Sequence, residues 1–513
     1  MRTLLLILLV GCFYSSFAQS KQDYYWPFGK DQIIEESGVQ ASAFDFNNQP
    51  FDPERRNGVL NFDRNNASIC DADGNLLFYT NGCAVSNRNH ELMPNGEGIN
   101  AGPFFEEIWE GDCRNGYPGR QDIIILPDPG YEDGYYIIHK PQEWDGTDAS
   151  TELLRFSYVD MNLDGGLGDV TIKNEVFHSG ADPLWSYLTA AKHENQQDWW
   201  LINPIDTSNS FLRYLITDNG IEPHDVQRIG PVNHWNASAA GDSEFSPDGT
   251  KYAYFNVMDG LWLVDFDRTS GLLSNLRTIP PLDTDNLVFA SVEWSPNSEL
   301  LYLTTTDTVW QVDIMEENLE DSKLLIGTRT SMPDPFSSSF FISALGPDCR
   351  IYIRTGSGTN SFHVINKPNE RGIACDFVQQ GIRLPLISAR GSFPNFPRFR
   401  VDEEEKCDPS ISTFVGETVY WRRDMTVFPN PAIDRITMEL PEAYARGEVY
   451  VVDMEGQIVM THDIGPEHTG SGLQTSMLLD VAVLPEGSYS VEFVPEDNSE
   501  RWCILRFLSR LSS

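Results

Sequence analysis

Positive charge is what this sequence has least of. Its 513 residues include 36 Lys and Arg against 76 Asp and Glu, a formal charge of −40. A field of that sign repels phosphate backbones and anionic headgroups, so neither nucleic-acid binding nor docking on a bare anionic membrane is expected. Long apolar runs are missing too. No stretch reaches 18 consecutive apolar residues, so no transmembrane helix is expected. The eight cysteines and nine histidines form no C-x-x-C pair and no cluster at zinc spacing. There is no G-x-S-x-G elbow, and Gly356-Ser357-Gly358 follows a strand pattern with no helix pattern behind it. A carboxylate pair for glycoside hydrolysis cannot be singled out among so many acids. The catalytic residues, if there are any, stay unknown at this level.

What is present points to a β protein. Hydrophobic residues at 40% and charged residues at 22% allow a packed core. The length exceeds the roughly 250–300 residues that one core supports, so more than one domain is expected. Aromatics at 12%, with 12 Trp, 39 Gly and 31 Pro, favour short strands and many turns.

The first residues read as an address. Met1-Arg2, the apolar run Leu4 to Val10 and the small residues around Ser16-Phe17-Ala18 make residues 1–18 a secretory signal peptide. The same stretch also reads as a lipobox, Leu9-Val10-Gly11-Cys12, which would place an acyl anchor on Cys12, although the preceding apolar run is short for one. An exported chain is expected to form disulfides. Among Cys70, Cys83, Cys113, Cys349, Cys375, Cys407 and Cys503, the pairs Cys70 with Cys83 and Cys349 with Cys375 are candidates, because each flanks a hairpin or adjacent strands. The odd count leaves at least one thiol over, and Cys503 is the candidate for it.

A repeat fills residues 19–400. Phe245-Ser246-Pro247-Asp248-Gly249, Trp294-Ser295-Pro296-Asn297-Ser298 and Leu345-Gly346-Pro347-Asp348-Cys349 recur 49 to 51 residues apart, each followed by an apolar strand pattern. Pro fixes one backbone angle and Asp-Gly completes a tight turn, so these are antiparallel strand pairs. Weaker copies stand at Asp71 to Asn75, Pro127 to Gly130 and His193 to Asp198. A period near 50 with strand–turn–strand content predicts a β-propeller of about seven blades, with six or eight as alternatives.

Residues 401–424 are charged and irregular and read as a linker. From Met425 to Ser513 short alternating strands recur with Gly-bearing turns, which predicts a small immunoglobulin-like β-sandwich. Val427-Phe428-Pro429-Asn430-Pro431, then Val451-Val452-Asp453-Met454-Glu455-Gly456, then Leu484-Pro485-Glu486-Gly487-Ser488-Tyr489 stand here in order. This set resembles the type A C-terminal sorting domain of the type IX secretion system of Bacteroidetes. The resemblance implies passage through the periplasm and across the outer membrane, the type IX machinery as a partner, and a secreted or cell-surface address. Asp73 to Gly82, Asp198 to Trp200, Phe245 to Gly249, Asp265 to Arg268 and Pro394 to Pro397 likewise resemble the uncharacterised propeller regions that precede such domains, which implies a fold and no activity.

No cofactor is expected, with calcium the one to consider. Asp160, Asn162 and Asp164 alternate ahead of Gly165 and Gly166 as in the first half of an EF-hand loop, but Thr171 stands where the bidentate Glu would be, and a hairpin turn explains the run equally. Asp71, Asp73 and Asn75 read as a turn. His139 and His193 lie beside blade turns, where they would either face a central channel or be ordinary loop residues. Trp144, Trp185, Trp199, Trp200 and Trp235 are candidates for stacking or, more simply, for packing between blades. The resulting expectation is a displayed binding protein whose propeller presents a face to a glycan, peptide or protein. The alternative is an extracellular hydrolase or lyase with its site in the channel.

Overall fold

A computed structural model describes residues 19–30, 41–48, 54–55, 58–62, 65–108, 116–117, 119–144, 149–184, 187–232, 241–282, 289–329, 339–388, 391–412, 426–428, 434–444, 447–453, 458–464, 474–485, 487–495 and 502–509. The predicted signal peptide, Cys12, Cys113, Trp185, Trp235, Pro429, Asn430, Pro431 and Gly456 fall outside them. The chain divides into two compact units, Met1–Asn360 with Ile365–Phe377 and Leu384–Thr413, and Phe414–Ser513 with Ser361–Val364 and Val378–Arg383.

The larger unit is a β-propeller. The blade in the middle of the repeat shows the plan: Gly241–Phe245, Lys251–Asn256, Gly260–Asp267 and Leu272–Ile279 pair antiparallel in chain order, from the axis outward. Its Ser-Pro-Asp-Gly turn closes because Ser246 N–H donates to Lys251 O at 2.9 Å and Gly249 N–H to Ser246 O at 2.8 Å, with Gly249 at φ +69°. The Ser246 hydroxyl donates to the Asp248 carboxylate at 2.5 Å and fixes the corner, and Ser295 does the same to Asn297 at 2.7 Å. Aromatic and branched residues of neighbouring blades then pack face to face. Phe255 and Leu263 of one blade share a cluster with Val292 and Trp294 of the next.

Six such blades begin at inner strands Ala67–Cys70, Ile123–Pro127, Thr189–Lys192, Gly241–Phe245, Ala290–Trp294 and Phe340–Leu345. The second has five strands, and the others have four. The ring thus has six full blades, one of the counts that the repeat allows. A three-stranded sheet, Tyr25–Phe28, Ser42–Asp45 and Glu54–Arg55, lies between the last blade and the first. Ser68 Oγ of the first blade donates to Tyr25 O at 2.7 Å, while the Trp26 and Phe44 rings lie 5.9 and 5.3 Å from Tyr352 of the last.

In the smaller unit, Thr426–Phe428, Arg435–Tyr444 and Gln474–Asp480 form one sheet, and Ile458–Ile464, Gly447–Asp453, Gly487–Pro495 and Trp502–Ser509 the other. Ile436, Met438, Met477 and Leu479 from the first meet Val449, Val451, Tyr489 and Val491 from the second in one core. Alternation along each strand sends the residues between them outward, as a sandwich requires. Among the described residues no helix is long and apolar enough to cross a membrane.

Candidate functional site

The propeller's axis is the place to look for a site, and the chain itself fills it. Residues 391–400 run past six inner walls. Phe393 enters an aromatic pocket, with ring centroids 5.2 Å from Trp26, 6.2 Å from Phe44 and 6.3 Å from Phe28. Asn395 N–H donates to Asn66 O at 2.8 Å, and its side-chain amide donates to Ile123 O and Leu188 O at 2.9 Å each. Arg398 N–H donates to Ala190 O at 3.0 Å, beside a parallel bridge between Ala191 and Arg398. Pro394 and Pro397 keep this stretch extended, because neither can donate to a ladder and each fixes φ.

Charge locks the second half of the plug. Arg398 Nη2 lies 2.7 Å from Glu293 Oε1 and 3.2 Å from Glu244 Oε2, and its Nε donates to Phe245 O at 2.7 Å. Arg400 forks onto both oxygens of Asp23 at 2.6 and 2.5 Å and also donates to Ser20 O at 2.8 Å. Burial opposes the Arg398 charge, but Glu293 and Glu244 outweigh it and hold the guanidinium protonated above its ordinary range. The acids respond in the opposite sense. Burial pushes Glu244 well up, against the pull of Arg398. Burial also raises Asp242 to about 7, although it accepts Ser291 Oγ–H at 2.5 Å and Val292 N–H at 2.6 Å.

These side chains alternate along inner strands, so Asp242 and Glu244, or Ser291 and Glu293, reach the axis two residues apart. They also bond other blades: Glu293 Oε2 accepts Leu345 N–H of the next blade at 2.8 Å, and Glu244 Oε1 accepts from Gln121 Nε2, just ahead of the second blade, at 3.0 Å. Beside the plug, two cavities lined by described residues measure about 50 and 40 Å³. A small-molecule site takes roughly 300–1,000 Å³, so neither holds a sugar or a peptide side chain with its neighbours.

The second polar constellation is neutral. His139 Nε2 lies 3.0 Å from Ser157 Oγ, and His139 Nδ1 lies 2.5 Å from Asn100 Oδ1. Asn100 accepts, so His139 carries its proton on Nδ1 and takes the Ser157 proton at Nε2. This is the order of a serine–histidine–asparagine relay. Yet Ser157 and His139 are fully buried, Asn100 is 1% exposed, and Asn174 N–H donates to the serine oxygen at 3.1 Å. Burial, then Arg155, lowers the histidine to about 3, so it stays neutral. No substrate reaches the serine, and the network ties three strands together. The spacing of His139 from Ser157 gave no sequence signal for it.

The other sequence candidates are placed as follows. Asp160, Asn162 and Asp164 stand in the hairpin between Ala149–Asp160 and Asp169–Leu184. Asn162 N–H donates to Asp160 Oδ1 at 2.9 Å, and its side-chain amide donates to Asp133 Oδ2 and Tyr131 OH at 2.7 Å each. Among the described residues no three His, Cys, Asp or Glu are gathered as metal ligands. Asp71 accepts Asp73 and Asn75 N–H, both at 2.9 Å, which is a turn. His193 faces Thr269 O at 3.1 Å in an exposed contact. Trp199 and Trp200 are buried between blades. Trp144 pairs with Ala149 at a strand end.

Both expected cysteine pairs are corrected. Cys349 bonds Cys407, with Cα atoms 5.1 Å apart, and not Cys375. Cys70, Cys83 and Cys375 are buried free thiols: Cys70 packs with Tyr25 and Ala43, Cys83 with Phe104 and Tyr117, and Cys375 with Phe340 and Ile365. The bridge ties the segment just after the plug to the turn of the sixth blade.

In the smaller unit the motif residues have a local reason. Tyr489 OH donates to Pro485 O at 2.9 Å while its ring enters the core. Residues 426–504 match the family model described as a secretion system C-terminal sorting domain. The chain carries a type IX sorting domain. That domain addresses the protein to the cell surface or to the medium, and it implies contact with the type IX machinery. No curated protein matches the chain.

Several solved structures align with much of the chain at low identity. A Bacteroides uniformis protein provisionally named as a 6-phosphogluconolactonase is 14% identical, with 71% of this chain and 98% of that one aligned at a TM-score of 0.42. A Lactobacillus plantarum protein is 10% identical over 89% of this chain and 99% of its own, at 0.34. A Desulfotomaculum acetoxidans protein of unknown function is 11% identical over 72% and 99%, at 0.39.

Proposed function

We propose that the protein is a recognition module, secreted or displayed on the cell, that binds a glycan, peptide or protein partner on one face of its ring. The plugged axis carries this reading. An extracellular hydrolase or lyase of the channel type needs the space that Phe393 to Arg400 occupy, and the relay at His139 is closed to substrate. Strand order favours one face. Each outer strand runs antiparallel to the inner strand of its blade, so the outer-strand ends at Glu97, Arg228, Ile279 and Thr328 and the inner-strand starts at Ile123, Gly241, Ala290 and Phe340 share one mouth of the ring, with 10 residues or more of chain between each end and the next start. The turns at 246–250, 295–299 and 346–350 open on the other and are short. Long connections on a rigid scaffold are where binding residues concentrate.

The test uses the purified mature protein on glycan and peptide arrays, in parallel with assays for released reducing sugar or peptide. Retention of one ligand class without turnover supports the module. Release of product, or no retention on either array, counts against it.

A further inference from the structure

The smaller axial cavity has a wall that the protein alone leaves incomplete. It is lined by Asn66, Arg120, Asp242 and Ser343 of the ring and by Ser392 and Asn395 of the plug. Three of its side-chain oxygens, Asn66 Oδ1, Ser392 Oγ and Asn395 Oδ1, are buried with no hydrogen-bond partner in the structure. Their residues are 2, 5 and 8% exposed. The amide orientations are fixed from the other side. Asn66 Nδ2 donates to Pro27 O at 2.5 Å and to Ser392 O at 3.3 Å, while Asn395 Nδ2 donates to two strand carbonyls. Each carbonyl oxygen therefore points away from those partners.

We propose that this chamber is a binding site for a small cluster of ordered water molecules that bridges the plug to the ring through Asn66, Ser392 and Asn395. An unpartnered buried oxygen is costly, and a donor is what each of these lacks. The cavity of about 40 Å³ has room for about three waters, at roughly 10–15 Å³ of such volume for each. The Arg120 guanidinium in the wall disfavours an alkali cation, which would otherwise suit the same oxygens. The two halves of the plug are then held differently, through water near Ser392 and Asn395 and through ion pairs at Arg398 and Arg400.

The test is a crystal structure of the mature protein, grown with rubidium replacing sodium and potassium, at a resolution that shows waters. Two or three peaks within hydrogen-bond distance of the three oxygens, without anomalous signal, are expected. An empty chamber or a rubidium peak overturns the proposal. Melting temperatures of Ser392→Val and Ser392→Ala give an independent check. In a wet chamber the larger side chain displaces water and strands two amide oxygens, so Ser392→Val melts several degrees below Ser392→Ala. In a dry one it fills space and melts higher, which also overturns the proposal.

Discussion

The axial cluster and the His139 network are both buried, polar and reminiscent of active sites, but they are built on opposite principles. Around Arg398 the groups are charged, and they join segments far apart in the chain: Arg398 reaches Glu293 across 105 positions. Around His139 the groups are neutral, and Ser157 is 18 positions away on a neighbouring strand of the same blade. A charged cluster is expensive to break because each partner left behind is an uncompensated buried ion. A neutral cluster loses only the hydrogen bonds removed and the solvation of what is stranded. The axis thus works as a clasp for the whole ring, and the histidine network as local strand packing.

Removing the clasp's cation is the severest way to test that contrast. Arg398→Met should destabilise the propeller by about 3–5 kcal/mol, because Glu244 and Glu293 then share a buried site without a counter-charge. Denaturant unfolding of the mature protein measures it, and a loss below about 1 kcal/mol would show the plug to be ornamental. Next in size is the covalent lock. Cys349→Ala with Cys407→Ala removes the bridge over 58 positions and should cost about 2–4 kcal/mol, measured the same way and matched by reducing the wild type.

The pH response separates the two regions by sign as well as by size. Asp242 rises on folding from 3.8 to about 7, so the folded state holds that proton more tightly than the unfolded chain does. Its contribution is greatest in acid and is lost as pH climbs from about 4 to about 7. Asp242→Asn should therefore flatten the fall in stability across that window. His139 is lowered to about 3, so its contribution runs the other way: it is present above the ordinary value of 6.5 and is lost as pH falls toward 3. Unfolding free energies of Asp242→Asn and His139→Gln at pH 4, 5.5 and 7.5 compare the slopes. Parallel slopes would refute the assignment.

The sequence made the blades readable because their cause is local. Ser246, Asp248 and Gly249 close a turn by contacts within five residues, and the apolar alternation after them reports the strand. The sorting motif is local too, since Tyr489 bonds Pro485. The plug is not, because nothing near Asn395 announces that its amide will bond Ile123, 272 positions earlier. The blade count stays approximate in the sequence for the same reason. Dividing length by period assigns a blade to residues that instead build the short sheet at Tyr25–Phe28 and the axial strap. The cysteine pairs failed because proximity along a hairpin is a poor guide once Cys407 returns to the sixth blade behind the plug.

The smallest effect is expected where the resemblance to an enzyme is greatest. Ser157→Ala removes one hydroxyl that donates to His139 and accepts from Asn174. His139 stays buried and Asn174 half-buried, so the cost is about 1–3 kcal/mol, below that of Arg398→Met. A fluorophosphonate probe should leave Ser157 unlabelled in the folded wild type, because the residue has no exposed surface. Labelling that disappears in Ser157→Ala would mean that the outer strand Asp169–Leu184 lifts and uncovers a working relay. The neutral network would then join the chemistry of the protein, and the charged axis alone would remain purely structural.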